Sequence, residues 1–409
     1  MKSCVVIGGG VVGLCSAYYL AKAGHQVTII DQSDLTDGCS YGNAGMIVPS
    51  HVIPLAHPGM ISQGMKWMFN SKSPFYVRPR LSAELFSWGW QFYKHSTKAH
   101  VERSMPALHD LSMFSKELFQ DLAKQADFLY QEKGLLMLYK TEKVGEEEIH
   151  AGNEAKKLGL EVDFLSKEEV AKLERGIKTD SIGAVHYKSD AHLYPQRFMQ
   201  FLKDEIVALG VSIKKNASIQ KFEIQNGKIS SVEVENQIMI ADEFILCAGS
   251  WSPEIAKKLG IKLHILPGKG YSFNTANEGS QPSIPSILCE GKVAVTPMGD
   301  QVRFGGTMEV THTNDHRINT NRVQGIVDTI NQFYPEIAMK QPNASDVWHG
   351  FRPCTPTGLP LISRSTKVNN LVIATGHAMM GLSLGPATGK LVEEIVGGRS
   401  TSVNIDRFK

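Results

Sequence analysis

The chain has 409 residues, enough for roughly two or three domain-sized units with their own cores. Lys and Arg number 43 against 41 Asp and Glu, a net charge of +2, which gives no electrostatic footprint for a nucleic-acid partner. Its six cysteines form no C-x-x-C pair or metal-binding spacing, and no run of about 18 apolar residues offers a membrane span.

The first elements lie in "VVIGGGVVGLCSAYYLAKAGHQVTIID", residues 5–31. An apolar run after Lys2 suits either a secretory leader or a dinucleotide-binding turn. Gly8 to Gly10 interrupt the run after Cys4–Ile7, where a leader needs an unbroken apolar core, so the leader is excluded. Leu14, Ala17, Tyr18 and Ala21 then recur at helical spacing, Gly24 ends the helix, and Val27–Ile30 forms a second strand ending at Asp31. In this βαβ unit Gly8 serves the tight turn, Gly10 a close approach of backbone to pyrophosphate, and Gly13 helix–strand packing. Asp31, 18 residues beyond Gly13, is placed to accept hydrogen bonds from a ribose.

Residues 60–95 follow, rich in Met, Trp and Phe ("MKWMF", "LFSWGWQFY"). They suit either packing under a second domain or forming a lid, or else a stripe that docks on lipid. Helices are predicted over 106–126 and 145–158, and Ser166 with Glu169 forms a capping box. Strand-like "GLLMLY" and "IGAVHY" accompany them. A helix over 196–209 leads into a meander in which Asn226-Gly227 signals a type I′ hairpin. Phe244–Ala248 reads as a buried strand, 262–309 as a second strand-rich block, and 318–333 as a helix. The end is a strand, a glycine loop and a helix with Pro386 in its first turn.

Eight stretches in order resemble the FAD-dependent D-amino-acid oxidase superfamily, with most similarity to its bacterial D-amino-acid dehydrogenase branch. They are the glycine motif, "CSYGNAGMI", "DAHLYPQRF", "ILCAGSWSP", "PGKGYS", "VRFGGTMEV", "WHGFRPCTPTGLPLI" and "ATGHAMMGLSLGPATGKLVEEI". The resemblance implies an α/β fold: a discontinuous Rossmann-like FAD-binding domain (1–49, 190–260, 345–409) and an interleaved α+β substrate domain on an antiparallel sheet (50–189, 261–344). Val12 and Gln32 are counted with the glycines and Asp31 as cofactor contacts. Ser40, Asn43, Ala44, Gly45 and Met46 match the segment that passes the pyrophosphate and reaches the flavin ring, although ordinary turn chemistry would also suit Ser40 and Asn43. Ile219 matches the strand whose backbone meets adenine, and Gly249 and Trp251 lie at the family's "AGxW" bend. The loop from Gly376 to Gly385, with His377, Met380 and Gly381, would set a helix N-terminus against the flavin pyrimidine, where its dipole favours developing negative charge. A core or capping role is the alternative for His377.

Arg352, in the G-x-R-P match, is the candidate catalytic residue. A planar guanidinium binds an amino-acid carboxylate bidentately, and a structural ion pair is the alternative. His51, Tyr271 and His377 are further substrate-binding candidates, with packing as the other reading, and Arg303 is assigned to the sheet. Two departures stand out. Thr357 replaces an aspartate of many relatives, which puts loop support in doubt. No lysine lies between Gly270 and Gly291, where some oxidases keep one for reaction with oxygen. Cys354 is not at the spacing of covalent members, so FAD is expected to be non-covalent, and no metal is expected.

The implied reaction is oxidation of the C–N bond of a D-amino acid, including proline or hydroxyproline types, by hydride transfer to flavin N5. A quinone or other non-oxygen acceptor would take the electrons. The cysteine pattern reads as a reducing, cytoplasmic compartment, and the resemblance adds an optional peripheral contact with the inner membrane face. Other readings kept open are a glycine- or sarcosine-type oxidase, an NAD-dependent dehydrogenase and a non-catalytic flavin-binding protein.

Overall fold

The chain around Val6 sets the first sheet. Ser3–Ile7 is apolar toward both faces, as an interior strand of a parallel sheet must be. It pairs in parallel with Gln26–Ile30 on one side and Glu243–Leu246 on the other. The computed structural model describes residues 1–62, 64, 72–78, 82–276 and 281–409. Its first sheet has six strands in the order 361–364, 371–375, 243–246, 3–7, 26–30 and 212–214. Only the edge strand Leu361–Arg364 runs antiparallel to its neighbour.

Alternation along Ser3–Ile7 builds two cores. Cys4 and Val6 pack with Leu14, Tyr18, Phe198 and Val392 from the helices Val11–Lys22, Pro195–Ala208 and Gly385–Gly397. Val5 and Ile7 face the other way, onto Phe222 and Val232 of a three-stranded meander. The meander turns at Asn226 and Gly227 with φ of 52° and 74°, the pair of left-handed residues a type I′ turn requires.

The second sheet has nine strands, with 348–354, 266–276, 301–310, 293–298, 286–288, 135–139, 183–187 and 162–166 in order and Phe75–Val77 beside 301–310. Helix Thr320–Phe333 covers one face, packing Val323, Ile326 and Ile330 on Tyr271, Phe273 and Phe304. The strand Trp348–Cys354 pairs here, with Leu266–Ala276, although the sequence reading groups 345–354 with the nucleotide-binding segments. Chain order cannot reveal this, because the partner strand lies in a different block.

Local signals behave as their chemistry dictates. Glu169 N–H donates to Ser166 Oγ at 3.3 Å and Ser166 N–H to Glu169 Oε2 at 2.8 Å, closing the capping box. The helix expected over 106–126 runs Lys98–Ala123. Thr97 caps it by accepting from His100 N–H, and Pro106 is carried inside. The "MKWMF" stretch, 65–69, lies outside the described residues. No described helix is long and apolar enough to cross a membrane.

Candidate active site

The glycine turn is built for close approach. Gly8 has φ of 106°, and a Cβ there would meet the Cys247 carbonyl oxygen at 2.7 Å. A Cβ on Gly13 would fall 1.8 Å from the Gly8 carbonyl oxygen, so helix and turn touch through bare backbone. Gly10 is different. A Cβ there would meet only Ser40 Oγ, at 3.7 Å, so open space lies over the start of helix Val11–Lys22. That helix has no side-chain cap from its own N-cap residue, although Ser40 Oγ accepts from Val11 N–H at 3.0 Å. Asp31 braces the turn: Oδ2 accepts from Gly9 N–H at 2.6 Å, and Oδ1 accepts from Ser33 N–H and Oγ–H, both at 2.7 Å. Val12 is buried in the helix and Gln32 is exposed beside the acid. Ala217 N–H donates to the Asp31 carbonyl, which brings Ile219 to this end of the cradle. The Ile219 carbonyl already accepts from Lys258 Nζ at 2.5 Å.

The 40–46 segment crosses from the first sheet to the second. Asn43 Oδ1 accepts from Gly45 N–H at 2.8 Å, a local turn as its residue type favours. Arg303 Nη1 donates to the carbonyls of Tyr41 and Asn43 at 2.9 and 2.7 Å, and Ser272 Oγ to that of Gly42 at 2.8 Å. Burial lowers Arg303 to about 10, still charged at neutral pH. Gly45 has φ of 74°, and a Cβ there would lie 2.2 Å from the Leu193 carbonyl oxygen. Ala44 is half-buried, and Met46 is buried opposite His192.

The C-terminal loop meets this segment. Val48 N–H donates to Ser383 Oγ at 3.0 Å. Gly376 has φ of 80°, and a Cβ there would press on Thr355. Met380 and Gly381 are half-buried. His377 turns inward: its Nε2 bonds Thr388 Oγ1 at 2.9 Å, and burial drops its pKa to about 3. This places it under helix Gly385–Gly397, the arrangement the core or capping alternative describes. Gly249, at φ of 52°, takes a bond from Thr375 Oγ1 on its carbonyl. Trp251 sets its ring edge-on to Phe351 at 5.9 Å.

Arg352 reaches across strand Leu266–Ala276. A Cβ on Gly270 would overlap its guanidinium, at 2.3 to 2.4 Å from Cζ and both Nη atoms. Among the described residues its one side-chain hydrogen bond is Nη1 to the Thr307 carbonyl at 2.6 Å, and no carboxylate pairs with it. Burial lowers its pKa. Trp88, from helix Ala83–His95, donates to the Cys354 carbonyl at 2.9 Å. The Cys354 thiol is pushed up to about 11 by burial, so it stays protonated.

Tyr271 faces the opposite side of the sheet from Gly270, as strand alternation requires. Its hydroxyl donates to Glu309 Oε2 at 3.1 Å inside the core under Thr320–Phe333. That is the packing arrangement of the two alternatives for this residue. His51 has Nδ1 at 3.1 Å from Ser50 Oγ, and burial lowers it to about 4. No described hydrogen bond joins His51 to Arg352. The Thr357 turn is closed without an aspartate, by Thr355 Oγ1 to the Leu359 carbonyl and Leu359 N–H to Thr357 Oγ1. Among the described residues no group of three His, Cys, Asp or Glu could hold a metal ion.

Residues 3–395 match the family model of FAD dependent oxidoreductases, DAO. The chain belongs to this family. It is 29% identical over 408 residues to a D-amino acid dehydrogenase of Allorhizobium ampelinum, covering 98% of this chain and 96% of that protein. It is also 29% identical over 407 residues to a D-amino acid dehydrogenase of Helicobacter pylori, covering 99% and 97%. In fold it resembles the glycine oxidase of Geobacillus kaustophilus, at 20% identity and a TM-score of 0.80 over 100% of this chain and 98% of that one.

This DAO-family oxidoreductase holds the parts an FAD dinucleotide needs: a glycine turn with open space over Gly10, a braced acid at Asp31, and a helix start free of its own cap. Two contributors escape sequence reasoning. Arg303 belongs to the sheet as expected, yet it also clamps the 40–46 segment from 260 residues away. Thr307 receives Arg352, and only the pairing register of distant strands reveals it.

Proposed function

We propose that the chain oxidises the C–N bond of a D-amino acid and delivers the electrons to a quinone or another non-oxygen acceptor. The carrying observation is Arg352, a half-buried guanidinium without a described carboxylate partner, lying over bare glycine. A buried cation is costly unless an anion completes it. An α-carboxylate supplies the anion and receives a planar fork that fixes the α-carbon. When bound, FAD supplies the two-electron acceptor. The cradle at Gly8–Gly13, Asp31, Ser40 and the 43–46 segment would hold it, with Gly376–Gly381 beside the ring. A protonated Cys354 fits non-covalent binding. The imine product is then hydrolysed by water to a 2-oxo acid and ammonia, whereas a proline-type substrate leaves a cyclic imine. The D-specificity is supported by the names of the relatives.

The dehydrogenase reading is supported by the lysine-free run from Gly270 to Gly291. A lipid-borne acceptor suits helix Ala83–His95, which exposes Phe86, Trp90 and Tyr93 along one face while burying Phe92. Six free thiols fit a reducing, cytoplasmic compartment. The test is an anaerobic panel of D- and L-amino acids, with the proline and hydroxyproline isomers included, read by loss of visible flavin absorbance. D-enantiomers should bleach the flavin, and a soluble quinone should restore it faster than air. Bleaching by L-enantiomers alone, or peroxide matching turnover in air, contradicts the proposal.

A further inference from the structure

Strand Gln301–Val310 is irregular where it passes Arg352. Its pairing with Leu266–Ala276 runs Lys269 to Glu309, then Tyr271 to Gly306. Thr307 and Met308 therefore both face the single residue Gly270, which makes a β-bulge. Thr307 has φ of 56°, a left-handed conformation in which a β-branched residue is strained. Such strain persists only where the surroundings impose it. Here they do so twice. Arg322, itself buried, donates from Nη1 to Thr307 Oγ1 at 2.9 Å and to the Ser73 carbonyl at 2.7 Å. Met308 N–H donates to the Pro74 carbonyl at 2.7 Å, where Phe75–Val77 joins the strand.

The consequence is an aimed carbonyl. Thr307 turns its side chain to Arg322 and its carbonyl to Arg352 Nη1, at 2.6 Å. One residue thus links the buried Arg322 to the guanidinium over Gly270. We infer that Thr307 is a positioning residue: held by Arg322 through its hydroxyl, it fixes the orientation in which Arg352 presents its remaining N–H groups to the substrate carboxylate. This rests on the reading of Arg352 as the carboxylate clamp. A regular strand at this point would direct the 307 carbonyl along the sheet ladder, leaving Arg352 free to rotate.

The test uses flavin-replete holoenzyme, with the D-amino acid that bleaches the wild-type flavin fastest as the probe. Thr307→Val keeps the shape and removes the hydroxyl, Thr307→Gly removes both hydroxyl and strain, and Thr307→Ser keeps the hydroxyl. Losing a charge-assisted anchor predicts about ten-fold weaker substrate binding and slower flavin reduction for Val and Gly, and about two-fold or less for Ser. Flavin content should be unchanged. In an Arg352→Ala background, Thr307→Gly should add nothing, because its effect runs through the missing guanidinium. Should Thr307→Val not fold, Thr307→Gly decides, since glycine adopts this backbone freely. Wild-type binding and rate in Thr307→Gly, a Ser variant as impaired as Gly, or a Gly penalty that persists without Arg352 overturns the inference. If Arg352→Ala alone is unimpaired, the clamp itself fails, an outcome distinct from an impaired Arg352→Ala beside a normal Thr307→Gly.

Discussion

Three buried titratable side chains, His192, His377 and Asp190, and the half-buried His51 shape the response to acid. Burial lowers His51 and His192 to about 4, and His377 to about 3, from 6.5. As pH falls below 6.5 the unfolded chain takes up protons that these imidazoles refuse in the fold, so stability drops. Asp190 acts in the opposite sense. Burial, offset by hydrogen bonds from Ser50 N–H and Oγ–H at 3.0 and 2.5 Å, raises it from 3.8 to about 7. Between those values the fold holds a proton that the unfolded chain has lost, so this group's contribution falls as pH rises. Three imidazoles outweigh one carboxyl across pH 4 to 6.5, and net stability should decline toward the acid end. Removing the opposing group sharpens the effect. Denaturant melts should show a steeper decline below pH 6.5 for Asp190→Asn than for the wild type, and a flatter one contradicts the assignment.

At the scale of elements, the glycine turn and its helix separate folding from cofactor binding. Gly13→Ala drives a methyl into the Gly8 carbonyl and should cost about 1–3 kcal/mol as overpacking, with flavin lost as a result. Gly10→Ala has an ordinary φ of −70° and no close neighbour, so the apoprotein should melt as the wild type does. Its methyl would stand where the pyrophosphate must approach the backbone, and FAD affinity should fall. Apoprotein melts with flavin titrations distinguish these outcomes, and a Gly10→Ala variant with wild-type FAD affinity contradicts the placement. The βαβ unit, the Asn226-Gly227 hairpin and the Ser166–Glu169 cap were legible in the sequence because each is encoded within one short stretch. For Tyr271 the sequence left substrate contact and packing both open, because no local pattern tells which face of its strand the core would claim. Helix Thr320–Phe333 decides that, and its docking is non-local. The bulge at Thr307, the reach of Arg303 to Asn43 and the sheet that claims Trp348–Cys354 depend on register between distant strands, for which no local residue pattern exists.

For the whole molecule, Arg352 stands at a seam. Its strand is an edge of the nine-stranded sheet. On the other side, Phe351 N–H donates to Cys39 Sγ at 3.1 Å, Ser250 Oγ donates to the Phe351 carbonyl at 3.0 Å, and Cys354 bridges to His377. One strand thereby ties the bend at Gly249–Trp251, the 39–46 segment and the C-terminal glycine loop to the sheet that carries Thr307 and Gly270. The proposed task of this junction is to hold a substrate carboxylate. Its most direct test is anaerobic stopped-flow reduction of flavin-replete Arg352→Ala and Arg352→Lys by the best D-amino acid. Loss of a charge-assisted pair of about 1.5–3 kcal/mol predicts about 10- to 150-fold weaker binding and a slower limiting reduction rate for Ala. Lys should recover little, since a point charge cannot reproduce the planar fork. An unchanged dissociation constant together with an unchanged limiting rate in Arg352→Ala would contradict the account.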